Sequence, residues 1–169
     1  MTINLSLRNA QGHEVLLNSL WQDSTVAFYF LRHIGRVFCR EQMVNLQQQQ
    51  KQFDDAEIRT VVVVMAEPEQ ALALIEKYGL TYLVLCDPQQ TAYQYFEIPQ
   101  GRPMQYVGPK TWLTGLRAMI RGGIGKPSHD IKQMHGTVVI DSSGTVIYKH
   151  LGRHSADYTP LADVLSATK

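Results

Sequence analysis

Cysteine is nearly absent from this chain: Cys39 and Cys86 are the two thiols in 169 residues. Two cysteines cannot build the disulfide framework of a small secreted fold, which points to a reducing, cytoplasmic setting where a thiol stays available for chemistry. Net charge is lacking as well. Sixteen basic residues against fifteen acidic ones leave a formal +1, which argues against nucleic acid as a partner. No apolar run approaches the ~20 residues that span a bilayer. The longer ones, such as TVVVVMA at 60–66, have strand length, and MTINLSLRNAQGHEV has no cationic start followed by an apolar segment. Neither a membrane partner nor a signal peptide is expected. Absent too are an internal repeat and a linker rich in Pro, Gly or Ser, so residues 1–169 read as one domain. A domain of that size buries about 70% of its unfolded surface and needs no disulfide or metal.

Two suggestive motifs fail on chemistry. RGGIGKPS at 121–128 lacks the first glycine of a phosphate loop and carries Pro127 inside it. His150 and His154 flank Gly152 and have no acidic or cysteine partner at ligand spacing, so no metal is expected, and no other cofactor is implied.

What is there is a regular alternation of strands and helices. TINLSLRNAQGHEVLL alternates apolar and polar residues around a turn and reads as a hairpin. TVAFYFLR at 25–32 and IRTVVVVMA at 58–66 are continuous β-rich runs, the pattern of strands buried on both faces. Cys39 to Phe53 reads as a helix whose QQQQKQ tract forms a solvated face. EPEQALALIEKYG follows as a helix with Pro68 near its start and Gly79 as its C-cap. TYLVLCD at 81–87 is a shorter strand, followed by a turn and a short helix in DPQQTAYQYF. TWLTGLRAMIRGG reads as a further helix after the loop QGRPMQYVGPK. GTVVIDSSGTVIYKH at 136–150 is a hairpin about Asp-Ser-Ser-Gly, and DYTPLADVLSATK closes the chain as a helix. The order predicts an α/β fold, a mixed central sheet flanked by helices.

Chemistry concentrates in FYFLRHIGRVFCREQ, residues 28–42. Binding crevices of α/β sheets open at the carboxyl ends of parallel strands. Cys39 follows such an end and enters a helix, where free N–H groups and the helix dipole favour a thiolate. Arg32, Arg36 and Arg40 add positive charge nearby. Settings of this kind lower a thiol pKa from ~8.5 to between ~3.5 and ~7.5. Two readings stand side by side: a reactive thiol in a cationic cradle, or a small buried hydrophobe, as most free cysteines are. Cys86 reads as a core cysteine.

The arrangement resembles the AhpC/TSA superfamily, in particular its peroxiredoxin-like branch with the turn R-x-x-G-C-x-x-C-R-E. LVLCDPQQTAYQYF is similar to that branch's strand–Asp-Pro–helix segment, GPKTWLTGLRAMIRGG to its inserted helix, and QMHGTVVIDSSGTVIYKH to its closing hairpin. The resemblance implies a thioredoxin-like fold with an N-terminal hairpin and an inserted helix. It also implies Cys39 as the peroxidatic cysteine. Arg36 stands where the branch has its first cysteine and peroxiredoxins a threonine, so no disulfide closes within the turn. His135 replaces the arginine that supports the peroxiredoxin site; its plain alternative is a satisfied histidine at a strand start. The implied activity is an antioxidant thiol oxidoreductase. Its Cys39 would reduce a peroxide or other small oxidant, with Arg36 and Arg32 stabilising the thiolate and His135 in support. A small thiol or thioredoxin-like partner would return the electrons, and a homodimer stays open. Relatives that reduce lipid endoperoxides leave room for a larger substrate. The alternative is a thioredoxin-fold binding or redox-regulatory protein without peroxidase activity.

Overall fold

Along TVAFYF, every second side chain belongs to a different core. In the computed structural model, which describes residues 4–32, 34–100, 133–154 and 157–169, this run is strand β3 (Thr25–Phe30). Val26, Phe28 and Phe30 pack into one apolar cluster, while Ala27 and Tyr29 pack into the other. That is the period-2 geometry of a strand covered on both faces.

The hairpin β1 (Ser6–Asn9) and β2 (Glu14–Leu16) opens the chain, followed by a 3-10 turn at Leu17–Leu20. After β3 come helix α1 (Val37–Gln48), helix α2 (Gln50–Asp55), strand β4 (Ile58–Val64) and helix α3 (Pro68–Tyr78). Strand β5 (Leu83–Cys86) and helix α4 (Thr91–Tyr95) precede the hairpin β6 (Gly136–Ile140) and β7 (Val146–Leu151), and helix α5 (Leu161–Ala167) ends the chain. The strands form one sheet in the order β2-β1-β5-β4-β3-β6-β7. β3, β4 and β5 run parallel, whereas β1 and β6 pair antiparallel to β5 and β3. One face carries α1, α2, α3 and α5 over Val62, Val64 and Val84. The other carries Trp21, Tyr93 and Phe96 over Val61, Val63 and Val138. The mixed, helix-flanked sheet is the one expected from the order of elements.

Local rules explain most boundaries. α3 starts on a reciprocal capping box between Glu67 and Gln70, with Pro68 in its first turn, and ends on Gly79 in the left-handed region, φ 61°. One expectation changes. The helix read from Cys39 to Phe53 is two helices, parted at Gln49. The glutamine tract also does more than face water: Gln47 bonds Thr81 through its amide Nε2 and Oε1, and Gln50 Nε2 donates to Thr60 Oγ1 at 3.0 Å. Tyr82 Oη donates to the Met43 carbonyl at 2.8 Å, fixing α1 to the sheet. The expected loop QGRPMQYVGPK and helix TWLTGLRAMIRGG lie outside the described residues. Among the described residues, no helix is long and apolar enough to cross a membrane.

Candidate thiol site at Cys39

β3 hands the chain to the site. Leu31 N–H still pairs with the Val63 carbonyl at 3.0 Å, and then the backbone leaves the sheet at Arg32. It turns and enters α1 with Arg36 as an extended N-cap. Cys39 is therefore the third residue of α1, in the turn whose N–H groups lack helical acceptors. Val37 and Phe38 face outward, while Cys39 turns into the core and is 1% exposed.

The cationic cradle exists, but Arg32 rather than Arg36 leads it. Arg32 is also 1% exposed, and its Nε donates to the Gln133 carbonyl at 3.1 Å. Its backbone N–H bonds the Cys39 sulfur, and its guanidinium acts on that sulfur more strongly than the half-buried Arg36 does. A guanidinium stays charged even when buried, so its field persists. Arg40 points elsewhere: it is exposed and donates to the Ile34 carbonyl at 3.2 Å.

Burial outweighs these groups. Desolvation pushes the Cys39 thiol above its ordinary value, against the pull of Arg32, Arg36 and the Tyr158 hydroxyl. The low thiol pKa expected from the arginines is thus corrected. The positive charge is present, yet the sulfur has lost the water that would share in stabilising its anion.

His135 sits where the sheet predicts, because the antiparallel register Phe30↔Gly136 brings the start of β6 beside the end of β3. It is 2% exposed. Its Nε2–H donates to the Asp157 carbonyl at 2.7 Å, and its ring lies against that of Tyr158, with centroids 4.5 Å apart. Burial, aided by the charge of Arg32, lowers its pKa, so it is neutral at pH 7. His150, weighed above as half of a metal pair, donates to the same Asp157 carbonyl at 3.0 Å.

Tyr158 is the group that the sequence did not reveal. It belongs to the tail HLGRHSADYTP, and its hydroxyl acts on the Cys39 sulfur. One signal pointed that way: β7 pairs antiparallel with β6 and so ends at the Cys39 end of the sheet.

A family model described as AhpC/TSA matches residues 1–149. The chain belongs to the AhpC/TSA family. Within reach of this family member are prostamide/prostaglandin F synthase of Salmo salar, 25% identical over 168 residues, and peroxiredoxin-like 2C of Bos taurus, 22% identical over 172. Each alignment covers 95% of this chain, with 82% and 75% of the relative. Among solved structures, peroxidoxin BcpB of Mycobacterium tuberculosis superposes with a TM-score of 0.70 at 19% identity, covering 97% of this chain and 90% of its own. A bacterioferritin comigratory protein of Xanthomonas campestris reaches 0.72 at 13% identity, covering 99% and 91%. These likenesses establish the thioredoxin-like peroxiredoxin fold for the AhpC/TSA chain.

Proposed function

We propose that this AhpC/TSA protein is a peroxiredoxin-like thiol oxidoreductase in which Cys39 alone reacts with a peroxide. The observation that carries this reading is the set of groups converging on one sulfur: the Arg32 N–H, the Arg32 and Arg36 guanidinium charges and the Tyr158 hydroxyl. All of them favour the anion that attacks an O–O bond.

The step balances simply. The Cys39 thiolate forms an S–O bond as the O–O bond breaks, and the alkoxide takes up the proton that the thiol gave away. Cys39 becomes a sulfenic acid and the peroxide an alcohol or water. A first external thiol then condenses with the sulfenic acid, releasing water and leaving a mixed disulfide. A second thiol displaces Cys39 and restores it. An external reductant is favoured because Cys86 lies on β5, with β4 between it and β3. A reducing, cytoplasmic setting supplies such thiols. A homodimer would leave the scheme unchanged, since every group named comes from one chain.

The burial of the sulfur and its raised pKa favour a second reading, a redox-regulatory domain with a slow thiol. Trapping sulfenic acid with a dimedone probe at substoichiometric peroxide separates the two. The parent and Cys86→Ala should label at one site within seconds and Cys39→Ser at none. Labelling that needs a large excess of peroxide over many minutes would favour regulation.

A further inference from the structure

We propose that Tyr158, brought back from the tail of the chain, is the hydroxyl donor of the Cys39 site, and that His135 is a positioning residue acting through it. The inference rests on Cys39 being the reacting thiol and names two further parts of that site.

The tail is fixed on both sides of Tyr158. Before it, Gly152 N–H donates to the His135 carbonyl at 3.0 Å, and the Asp157 carbonyl accepts from His135 at 2.7 Å and His150 at 3.0 Å. After it, Thr159 Oγ1 donates to Thr137 Oγ1 at 2.8 Å on β6. Between these anchors the Tyr158 ring rests on the imidazole of His135 at an interplanar angle of 37°. His135 thus holds both the peptide that precedes Tyr158 and the ring itself.

Two polar atoms are left over in this packing. Tyr158 Oη is buried and has no settled hydrogen bond among the described residues, and His135 Nδ1 is in the same condition. With Nε2–H committed to a carbonyl, Nδ1 is a bare acceptor. A buried hydroxyl costs free energy unless it is paired, so one set beside the Cys39 sulfur is placed to donate to that sulfur's anion. Tyr158 Oη lies near enough to Cys39 to act on its charge, within the fields of Arg32 and Glu41. Burial and the neighbouring sulfur push the phenol pKa upward, so it remains protonated and keeps a proton to donate to the Cys39 anion.

The chemistry that fits is hydrogen-bond donation to the thiolate and then to the peroxide oxygen that attaches to it. No proton leaves Tyr158 for good; the leaving alkoxide takes the thiol's own. The turn that precedes Cys39 offers Arg36 where the resemblance places a threonine hydroxyl in peroxiredoxins. Tyr158 supplies a hydroxyl to the same sulfur from the opposite direction in sequence.

The test uses the full chain in a Cys86→Ala background, so that one thiol reports. Iodoacetamide alkylation of Cys39 is followed against pH for the parent, Tyr158→Phe, His135→Gln and the double variant, with melting curves to confirm folding. Losing a donor to the anion should leave about three- to tenfold less thiolate at pH 7 in Tyr158→Phe. His135→Gln should shift the midpoint in the same direction, and the double variant no further than Tyr158→Phe, the signature of residues acting as one unit. Thr159→Val, which loosens the tail from its other side, should reproduce a smaller shift and serves if His135→Gln does not fold. An unchanged midpoint in Tyr158→Phe, or a His135→Gln shift that adds in full to it, would overturn the proposal. Alkylation needs no peroxide. A parent inert to peroxide therefore sinks the peroxidase reading alone, and an unmoved Tyr158→Phe midpoint sinks this one alone.

Discussion

Cys39 and Cys86 are buried to nearly the same degree, 1% and 3% exposed, at the same end of one sheet. Their surroundings differ in sign. Around Cys39, two guanidinium groups, a backbone N–H and a phenol work against desolvation. Around Cys86, Glu67 and Glu69 add to it, and the thiol is pushed up to about 11. The Cys86 end is a cleft of about 390 Å³ lined by Arg8, Glu67, Cys86 and Asp87. With two carboxylates acting on its sulfur, it is the less suited to a thiolate. Burial alone does not tell the two sulfurs apart; the sign of the local charge does, and it favours a thiolate at Cys39 over one at Cys86.

The largest effect should come from removing the leading cation. Arg32→Met takes away a buried positive charge while keeping most of the volume, and should lower the thiolate fraction of Cys39 at pH 7 by about tenfold or more. Arg36→Ala should do less, because Arg36 is half-buried and its charge acts more weakly on the sulfur. Neither should move Cys86, whose thiol responds to the two glutamates. Alkylation of each single-cysteine variant against pH checks this. An equal response of both thiols to Arg32→Met would erase the contrast.

A smaller and more indirect effect is expected at Gly152. A Cβ built there would lie 2.4 Å from His135 Nε2 and 2.5 Å from Cε1, so Gly152→Ala must displace the imidazole. Overpacking of this kind costs about 1–3 kcal/mol. The melting temperature should fall, and the Cys39 midpoint should move as it does in Tyr158→Phe, with Cys86 unaffected. A lowered melting temperature with an unmoved Cys39 midpoint would mean that the tail stabilises the fold without serving the sulfur.

These contrasts also mark what the sequence could reveal. The strands were legible because β3 and β4 carry long β-branched and aromatic runs that only a doubly covered strand accommodates. Cys39 was legible because strand, cationic turn and helix are contiguous in sequence. Its pKa was not, since the arginines are visible as letters while desolvation depends on what packs over the sulfur. Arg36, nearer to Cys39 in sequence, was put ahead of Arg32, but it is Arg32 that enters the core and acts more strongly on the sulfur. His135 was singled out as a support of the site, but its contacts are with Asp157 and Tyr158, some twenty residues later in the chain. A residue returning from that distance leaves no periodic trace. The break at Gln49 was hidden for a related reason: Gln47 and Gln50 find tertiary partners in Thr81 and Thr60.

A last expected effect reads the Cys86 thiol by pH alone. Cys86 keeps its proton in the folded state up to about 11, whereas an unfolded thiol releases it near ~8.5. Its folded pKa is the higher, so the stability it contributes is complete below ~8.5 and is lost as pH rises towards 11. Cys39 is raised as well and adds in the same direction. Tyr29, Tyr82, Tyr93, Tyr148 and Tyr158 are also shifted upward, but unfolded tyrosines titrate near ~10, so the window from ~8.5 to ~10 belongs mainly to the thiols. Urea denaturation across that window should show the parent losing stability with pH. Cys86→Ala should start lower at pH 7 for want of side-chain volume, yet follow a flatter curve. Glu67→Gln should flatten the curve only slightly, by removing one of two charges that hold the proton on Cys86. Parallel curves for all three would mean that Cys86 titrates in the fold as it does in the unfolded chain, and that Glu67 and Glu69 do not hold its proton.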